Sequence, residues 1–431
     1  MRDILLLVFL GITLLAVFRY PFAGVLLWAW FTIASPQNAA WTASTLSLQP
    51  PITAIAILSL LLHGELFRLR MSWLLSFLLL FLFWIFLSQW MSLSPAASAV
   101  AFDRFWKVML FVVICSVAVT DRLRFTALLW VVVLIMGFYG VKGGVFTLLT
   151  AGQNLYFGLE RTVLYDNNHI GIAMATFLPM LLYVANQATH RLVRMGSWAV
   201  FALTIVAIIG TYSRGAFICL VVFGALYWWQ SRHKFVIGAA GVIMALGIFL
   251  SAPGDWIDRM GSISEAAEDQ SFQGRIDAWV INWELATENP LTGAGLRAPY
   301  DANVAATVSD RQPRAAHSIY FEVLGGTGFA GLIIYLGIWV TGFFAAFRTS
   351  LDRKAEPWRR EFSRYATMSL IIFGIGGASV SLEMWEGYLI LLVLAHSVRH
   401  MTDIPPVKES PIDSIRQRIQ ARARQSMRKP A

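Results

Sequence analysis

Four side chains carry most of the chemistry this sequence offers: Arg161, Arg214, Arg275 and His317. Each lies at the edge of an apolar run, where an ionisable group close to a bilayer is costly and therefore a candidate for function. Arg161 stands in the stretch GLERTVLYDNNH over 158–169, directly before an apolar run, and Arg214 sits at a tight break between two such runs. Arg275 is expected to begin a helix in a long polar stretch, and His317 to begin the helix that follows it. Arginine stays charged, and its planar fork matches phosphate oxygens in a bidentate way. Several arginines converging on one cavity would therefore hold a diphosphate without a metal. Histidine is the side chain whose proton affinity suits removal of a hydroxyl proton near neutral pH. The combination fits transfer of a group from a diphosphate leaving group onto an alcohol, with Asn168, His169 and Tyr320 as candidate supporting residues.

Each residue also has a simpler reading. An interfacial arginine can snorkel to lipid head groups, His317 can cap or satisfy a helix start, and Asp166 with Asn167, Asn168 and His169 can cap the helix that follows. The functional reading depends on the four acting together. Other chemistries lack support: there is no GxxxxGK[ST], HExxH, CxxC or DxD pattern, so neither a nucleotide, a metal nor another cofactor is expected. The stretch GTYSRG at 210–215 has one residue too many before Ser213 for a nucleophile elbow and lies between apolar runs. Cys115 and Cys219 lie in apolar runs and read as small core residues.

The elements that must position these groups are membrane helices. The chain has 431 residues and is 57% hydrophobic but only 14% charged, against about 25% charged in soluble domains. Apolar runs recur from end to end, which predicts an all-α polytopic membrane protein of about 12 transmembrane helices. The run over 4–18 has no cleavage site after it and reads as a membrane helix. Helices are predicted near 50–63, 72–91, 102–120, 124–147, 168–186, 196–212, 214–230, 234–251, 317–347, 364–382 and 385–400. The amino end, 4–18 and 20–34, is either two short helices or one irregular crossing. Breaks rich in His, Lys and Arg at 63–71, 121–124, 187–195, 231–234 and 348–364 are expected on the cytoplasmic side. The breaks at 35–49, 92–101, 148–167, 211–215 and 252–316 are expected opposite.

Four regions result: membrane helices over 1–251, a large periplasmic loop over 252–316, carboxy-terminal membrane helices over 317–402 and a basic cytoplasmic tail over 403–431. From residue 407 onward the tail holds seven Lys/Arg against Glu409 and Asp413, whereas 252–316 holds ten acids and five arginines. That asymmetry fixes the orientation, and it assigns the tail to anionic lipid or topology, not to nucleic acid. Inside the loop, Ile276, Trp279, Val280, Trp283 and Ala286 recur at helical spacing before Asn289-Pro290, predicting a helix of about four turns whose apolar stripe needs a partner.

The stretches RTVLYDNNHIGIAMATFLP (161–179), TYSRGAF (211–217), QGRIDAW (273–279), NPLTGAGL (289–296) and AHSIYFEVLGGTGFAGL (316–332) occur in an order that resembles the O-antigen ligase family. That family includes O-antigen polymerases and O-linked oligosaccharyltransferases, and the likeness is nearest to its exosortase-associated O-glycosylation ligase branch. Ser318, after the motif histidine where many members have Asn, leans the same way. The resemblance implies a GT-C-type glycosyltransferase of the bacterial inner membrane with a periplasmic active site. Its donor would be a glycan on undecaprenyl diphosphate and its acceptor the lipid A-core oligosaccharide. It further implies that Arg214, Arg275 and His317 match the family's essential arginines and histidine, and that Arg161 matches the basic residue of the preceding outer loop. The arginines would then bind the diphosphate and His317 would deprotonate the acceptor hydroxyl, which attacks the anomeric carbon with inversion and without a metal. A polymerase or protein O-glycosylation enzyme differs only in the acceptor. A transporter would call for charges near mid-membrane and two-half symmetry, neither of which the sequence shows.

Overall fold

The computed structural model describes residues 2–67, 70–251, 253, 254, 256 and 270–401. The basic tail over 403–431 and most of 252–269 lie outside the described residues. Among the described residues there are helices and no strands. Ten helices precede the long loop: α1 (Arg2–Arg19), α2 (Pro21–Ala34), α3 (Gln49–Leu62), α4 (Trp73–Trp90), α5 (Pro95–Ala118), α6 (Arg122–Leu149), α7 (Asn167–Gln187), α8 (Arg191–Gly210), α9 (Arg214–Gln230) and α10 (Lys234–Ser251). Then come α11 (Gln270–Glu288), the single turn α12 (Ala302–Ala305), α13 (Ile319–Leu351), α14 (Pro357–Gly376) and α15 (Glu386–His400).

The amino end is two helices, as Arg19-Tyr20-Pro21 allows: Pro21 opens α2 at a position where its missing N–H is no loss. Five helices, α4, α6, α7, α8 and α13, are long and apolar enough to cross a membrane, while α2, α3 and Lys234–Ile243 are shorter apolar helices. The molecule is a polytopic membrane protein by this composition and by its surface. Leu5, Leu15, Phe83, Leu134, Phe138 and Ile333 point outward, a lipid-compatible exterior that a soluble bundle could not tolerate.

Two helices form the centre. Nearly every residue of α7 is buried, with α8, α9 and α14 packed around it. Helix α15 is likewise buried almost throughout, against α5, α13 and α14. Small residues let helices approach where lipid supplies no hydrophobic drive. At Gly171 of α7, an added Cβ would stand only 2.7 Å from the Cβ of Ala216 on α9.

The alternation of loops matches the contacts. Asn167 Nδ2 donates to the Thr211 carbonyl at 2.8 Å, Tyr156 N to Gly210 O at 2.9 Å, Asn38 Nδ2 to Arg161 O at 3.1 Å, and Leu93 N to Ala294 O at 2.8 Å. Trp256 Nε1, from the long loop, donates to Ile209 O at 3.3 Å and joins the two sets, so these loops meet on one face. On the opposite face Arg124 pairs with Glu65 at 2.6 Å, Gln187 with Glu361 at 2.5 Å, and Arg359 donates to the Val398 and Met401 carbonyls.

Three expectations change. Helix α14 starts at Pro357, not near 364, because Pro357 takes the first-turn position and Arg359 reaches across to the carbonyl end of α15. The loop helix α11 starts at Gln270, so Arg275 lies inside it. Its buried side is Ala278, Ile281, Asn282, Leu285 and Ala286, while Trp283 is half exposed. The stripe is rotated because α11 lies along α13, where Trp279 stacks on Phe321 with centroids 5.1 Å apart and planes 5° from parallel.

Candidate active site

His317 is placed by its backbone. It does not begin α13 but precedes the cap residue Ser318, with φ at 46°, a left-handed conformation costly for a side chain with Cβ. Two bonds to Ala316 hold it there. Ala316 N donates to Glu322 Oε1 at 3.1 Å and Ala316 O accepts from Trp279 Nε1 at 2.8 Å. The loop helix and the first turns of α13 thus fix the peptide before His317 from both sides.

Helix α13 is broken at Gly328 (φ 73°, ψ −179°), and the NPLTGA stretch after α11 fills the break. Phe329 N donates to Pro290 O at 2.9 Å and Ala294 N to Gly325 O at 2.8 Å. Trp84 Nε1 of α4 reaches both Leu291 O and Thr327 O at 3.1 Å, so the freed backbone groups find partners. This junction ties the long loop to the membrane helices directly behind His317.

A buried ionic cluster lies beside it, and the sequence motifs did not single it out. Arg297, itself left-handed (φ 59°), places Nη1 2.7 Å from Glu322 Oε2 and Nη2 2.7 Å from Glu383 Oε1. Tyr300 Oη accepts from Arg297 and donates to Glu322 Oε1 at 2.5 Å, and Ser381 Oγ donates to the same oxygen at 2.8 Å. Burial opposes the charge of Arg297, but Glu322 and Glu383 more than offset it and keep the guanidinium firmly protonated. Burial raises the Glu383 carboxyl above its ordinary range, with Arg297 opposing that shift. Acids in or beside apolar segments, such as Glu322, Glu383 and Glu386, are the signal that could have found it.

The predicted residues are distributed as follows. Arg275, His169, Asp166 and Glu322 lie within electrostatic reach of His317. Burial, then the charge of Arg275 and the neighbouring His169, hold the His317 imidazole below its ordinary value, while Glu322 and Asp166 pull the other way. Arg214 is the first residue of α9, after the cap Ser213. Its neighbour Gly215 packs against Ser379, two residues from the Ser381 that serves Glu322. Arg161 sits on an exposed left-handed turn (φ 60°) before α7; its guanidinium makes no hydrogen bond or ion pair among the described residues, so the structure does not tie it to His317. Asp166 is a helix cap, its Oδ1 accepting from Asn168 N at 2.8 Å and His169 N at 3.2 Å. Asn168 contacts Asn167 Oδ1 at 3.3 Å. Tyr320 Oη donates to Gly374 O at 2.5 Å and locks α13 to α14.

A helical membrane protein with an arginine, two histidines and a carboxylate-bound arginine gathered at one end of its bundle has the groups that a transferase acting on anionic, hydroxyl-bearing substrates needs. Residues 199–336 match the family described as O-Antigen ligase, a likeness over about a third of the chain that supports an O-antigen ligase-type role for this segment. Residues 1–189 match a family of unknown function, DUF5935. A search of curated proteins gives no match. Arg214, Arg275, Arg297, His317 and Glu322 fall in the first match and Arg161 and His169 in the second, so the site draws on both.

Proposed function

We propose that this protein is an O-antigen ligase of the bacterial inner membrane. It transfers a glycan from undecaprenyl diphosphate to a hydroxyl of the lipid A-core oligosaccharide at the periplasmic face, within a GT-C-type bundle of about 12 crossings. The observation that carries the reading is His317, held in a left-handed turn by Glu322 and Trp279 within electrostatic reach of Arg275. His317, kept neutral by its surroundings, takes the proton of the acceptor hydroxyl. The acceptor oxygen bonds to the anomeric carbon from the face opposite the leaving group, and the carbon–oxygen bond to the diphosphate breaks with inversion. The electron pair leaves on the diphosphate, where Arg275, Arg214 and Arg161 balance the charge. No metal enters this scheme. The orientation follows from the positive-inside rule, which keeps the basic tail and the Lys/Arg-rich breaks in the cytoplasm and puts the His317 face outside.

The test compares wild type with His317→Ala, each mixed with undecaprenyl-diphosphate glycan and lipid A-core in the presence of a chelator, and reads the lipopolysaccharide ladder on a gel. A ladder from wild type that His317→Ala lacks is the expected result. Elongation on the carrier lipid would mean a polymerase, and glycan on protein Ser/Thr an O-oligosaccharyltransferase. An equal ladder from both proteins would remove His317 from the chemistry.

A further inference from the structure

His169 carries a buried acceptor that the fold does not use. Its Nδ1 lies 2.8 Å from the carbonyl oxygen of Val163. A carbonyl can only accept, so Nδ1 carries the proton and Nε2 is left with a bare lone pair. Nε2 is buried and makes no hydrogen bond among the described residues. Such an orphan is unfavourable unless something outside the chain serves it.

The surroundings say what that is. The groups bearing on His169 are Asp166 from its own cap, Arg297 and Glu322 from the ionic cluster, and it bears in turn on His317. The Arg297 guanidinium is taken by Glu322 and Glu383, and the Glu322 carboxylate by Arg297, Tyr300, Ser381 and Ala316. Among the described residues, His169 Nε2 and Glu383 Oε2 are the buried polar atoms of this group still without a partner, and of the two Nε2 is the one carried by the residue that bears on His317. A neutral lone pair repels phosphate oxygens and attracts O–H donors, so it serves a sugar and not the diphosphate. Its place beside His317 puts it against the sugar whose hydroxyl reacts.

We propose that His169 is a substrate-binding residue whose Nε2 accepts a hydrogen bond from a hydroxyl of the acceptor sugar, next to the hydroxyl that His317 deprotonates. The proposal rests on the glycan-transfer reading. No bond is made or broken at His169; it orients the acceptor.

Two substitutions in the full chain separate this role from a structural one. His169→Asn keeps an amide N–H where Nδ1 stands, and so the bond to Val163, but leaves nothing at Nε2. His169→Gln places an amide oxygen near Nε2. The expected result is a KM for lipid A-core about tenfold higher in His169→Asn, the loss of one hydrogen bond. The KM for the undecaprenyl-diphosphate donor stays within about twofold, and His169→Gln returns the acceptor KM to within about threefold of wild type. Unchanged acceptor KM in a folded His169→Asn, or a defect in His169→Gln alone, would mean that the bond to Val163 is what matters and would overturn the proposal. Should His169→Asn not fold, a tenfold acceptor defect in His169→Gln overturns it as well. Absence of transfer by folded wild type overturns the glycan-transfer reading and this proposal with it, whereas transfer with an unmoved acceptor KM overturns the role of His169 alone.

Discussion

Replacing Arg297 with Met would leave Glu322 and Glu383 facing each other, each having lost a guanidinium contact of 2.7 Å. Removing one member of a buried pair costs about 3–5 kcal/mol. The Arg297 side chain retains 24% of its exposure, so solvent screens part of the interaction and the lower end, about 3 kcal/mol, applies. With an unfolding entropy near 2 cal/mol/K per residue, cooperative unfolding of 431 residues translates this into a midpoint about 3 °C lower. The deficit has a pH signature. Without the guanidinium, repulsion from the neighbouring carboxylate adds to burial and raises the folded-state pKa of Glu383 further above the unfolded value. A raised pKa favours the fold below the unfolded value, and this contribution is lost as pH rises through the folded one. Arg297→Met should therefore lie close to wild type near pH 5 and fall furthest behind near pH 8. Adding Glu383→Gln removes the excess charge and should recover most of the loss. The assay is tryptophan fluorescence during thermal ramps of the detergent-solubilised protein at both pH values. Midpoints within about 1 °C of wild type at pH 8, or a deficit independent of pH, would refute the electrostatic reasoning.

Three further outcomes follow from the same structure. The acid limb of kcat/KM should fall below the ordinary histidine value of 6.5, because burial and Arg275 lower the His317 pKa; Arg275→Gln should shift that limb upward while weakening transfer, and an unmoved limb would separate the two residues. At Gly325 an added Cβ would stand 1.9 Å from Asn282 Oδ1. Gly325→Ala should thus lower stability by about 1–3 kcal/mol, whereas Gly196→Ala, with open space around it, should raise it by about 0.5–1 kcal/mol, both read from thermal midpoints. Arg359→Met leaves the Val398 and Met401 carbonyls without their guanidinium donor and should cost about 1–3 kcal/mol, seen as earlier loss of helical circular dichroism.

Apolar runs and the spacing of basic breaks were enough to read the helix order, the face on which the loops gather and the helix within 252–316. These are local properties: burial of a helical backbone in lipid demands a continuous apolar stretch, and charges must fall between stretches. Arg214, His169 and His317 were legible for the same reason, as ionisable groups at helix ends, and Arg275 as a charge at the edge of the apolar stripe of the loop helix. Folding decided the rest. His317 takes its left-handed turn because Glu322 and Trp279, respectively five residues after it and on another helix, hold the peptide before it. Arg297 becomes a buried anchor only when α13 and the segment after α14 bring Glu322 and Glu383 to it, and no spacing records a meeting across 86 residues. The orphaned Nε2 of His169 likewise exists because the Val163 carbonyl fixes the tautomer. A pattern along the chain reports which residues are expensive to bury; which partners offset that expense is set by packing between helices distant in sequence.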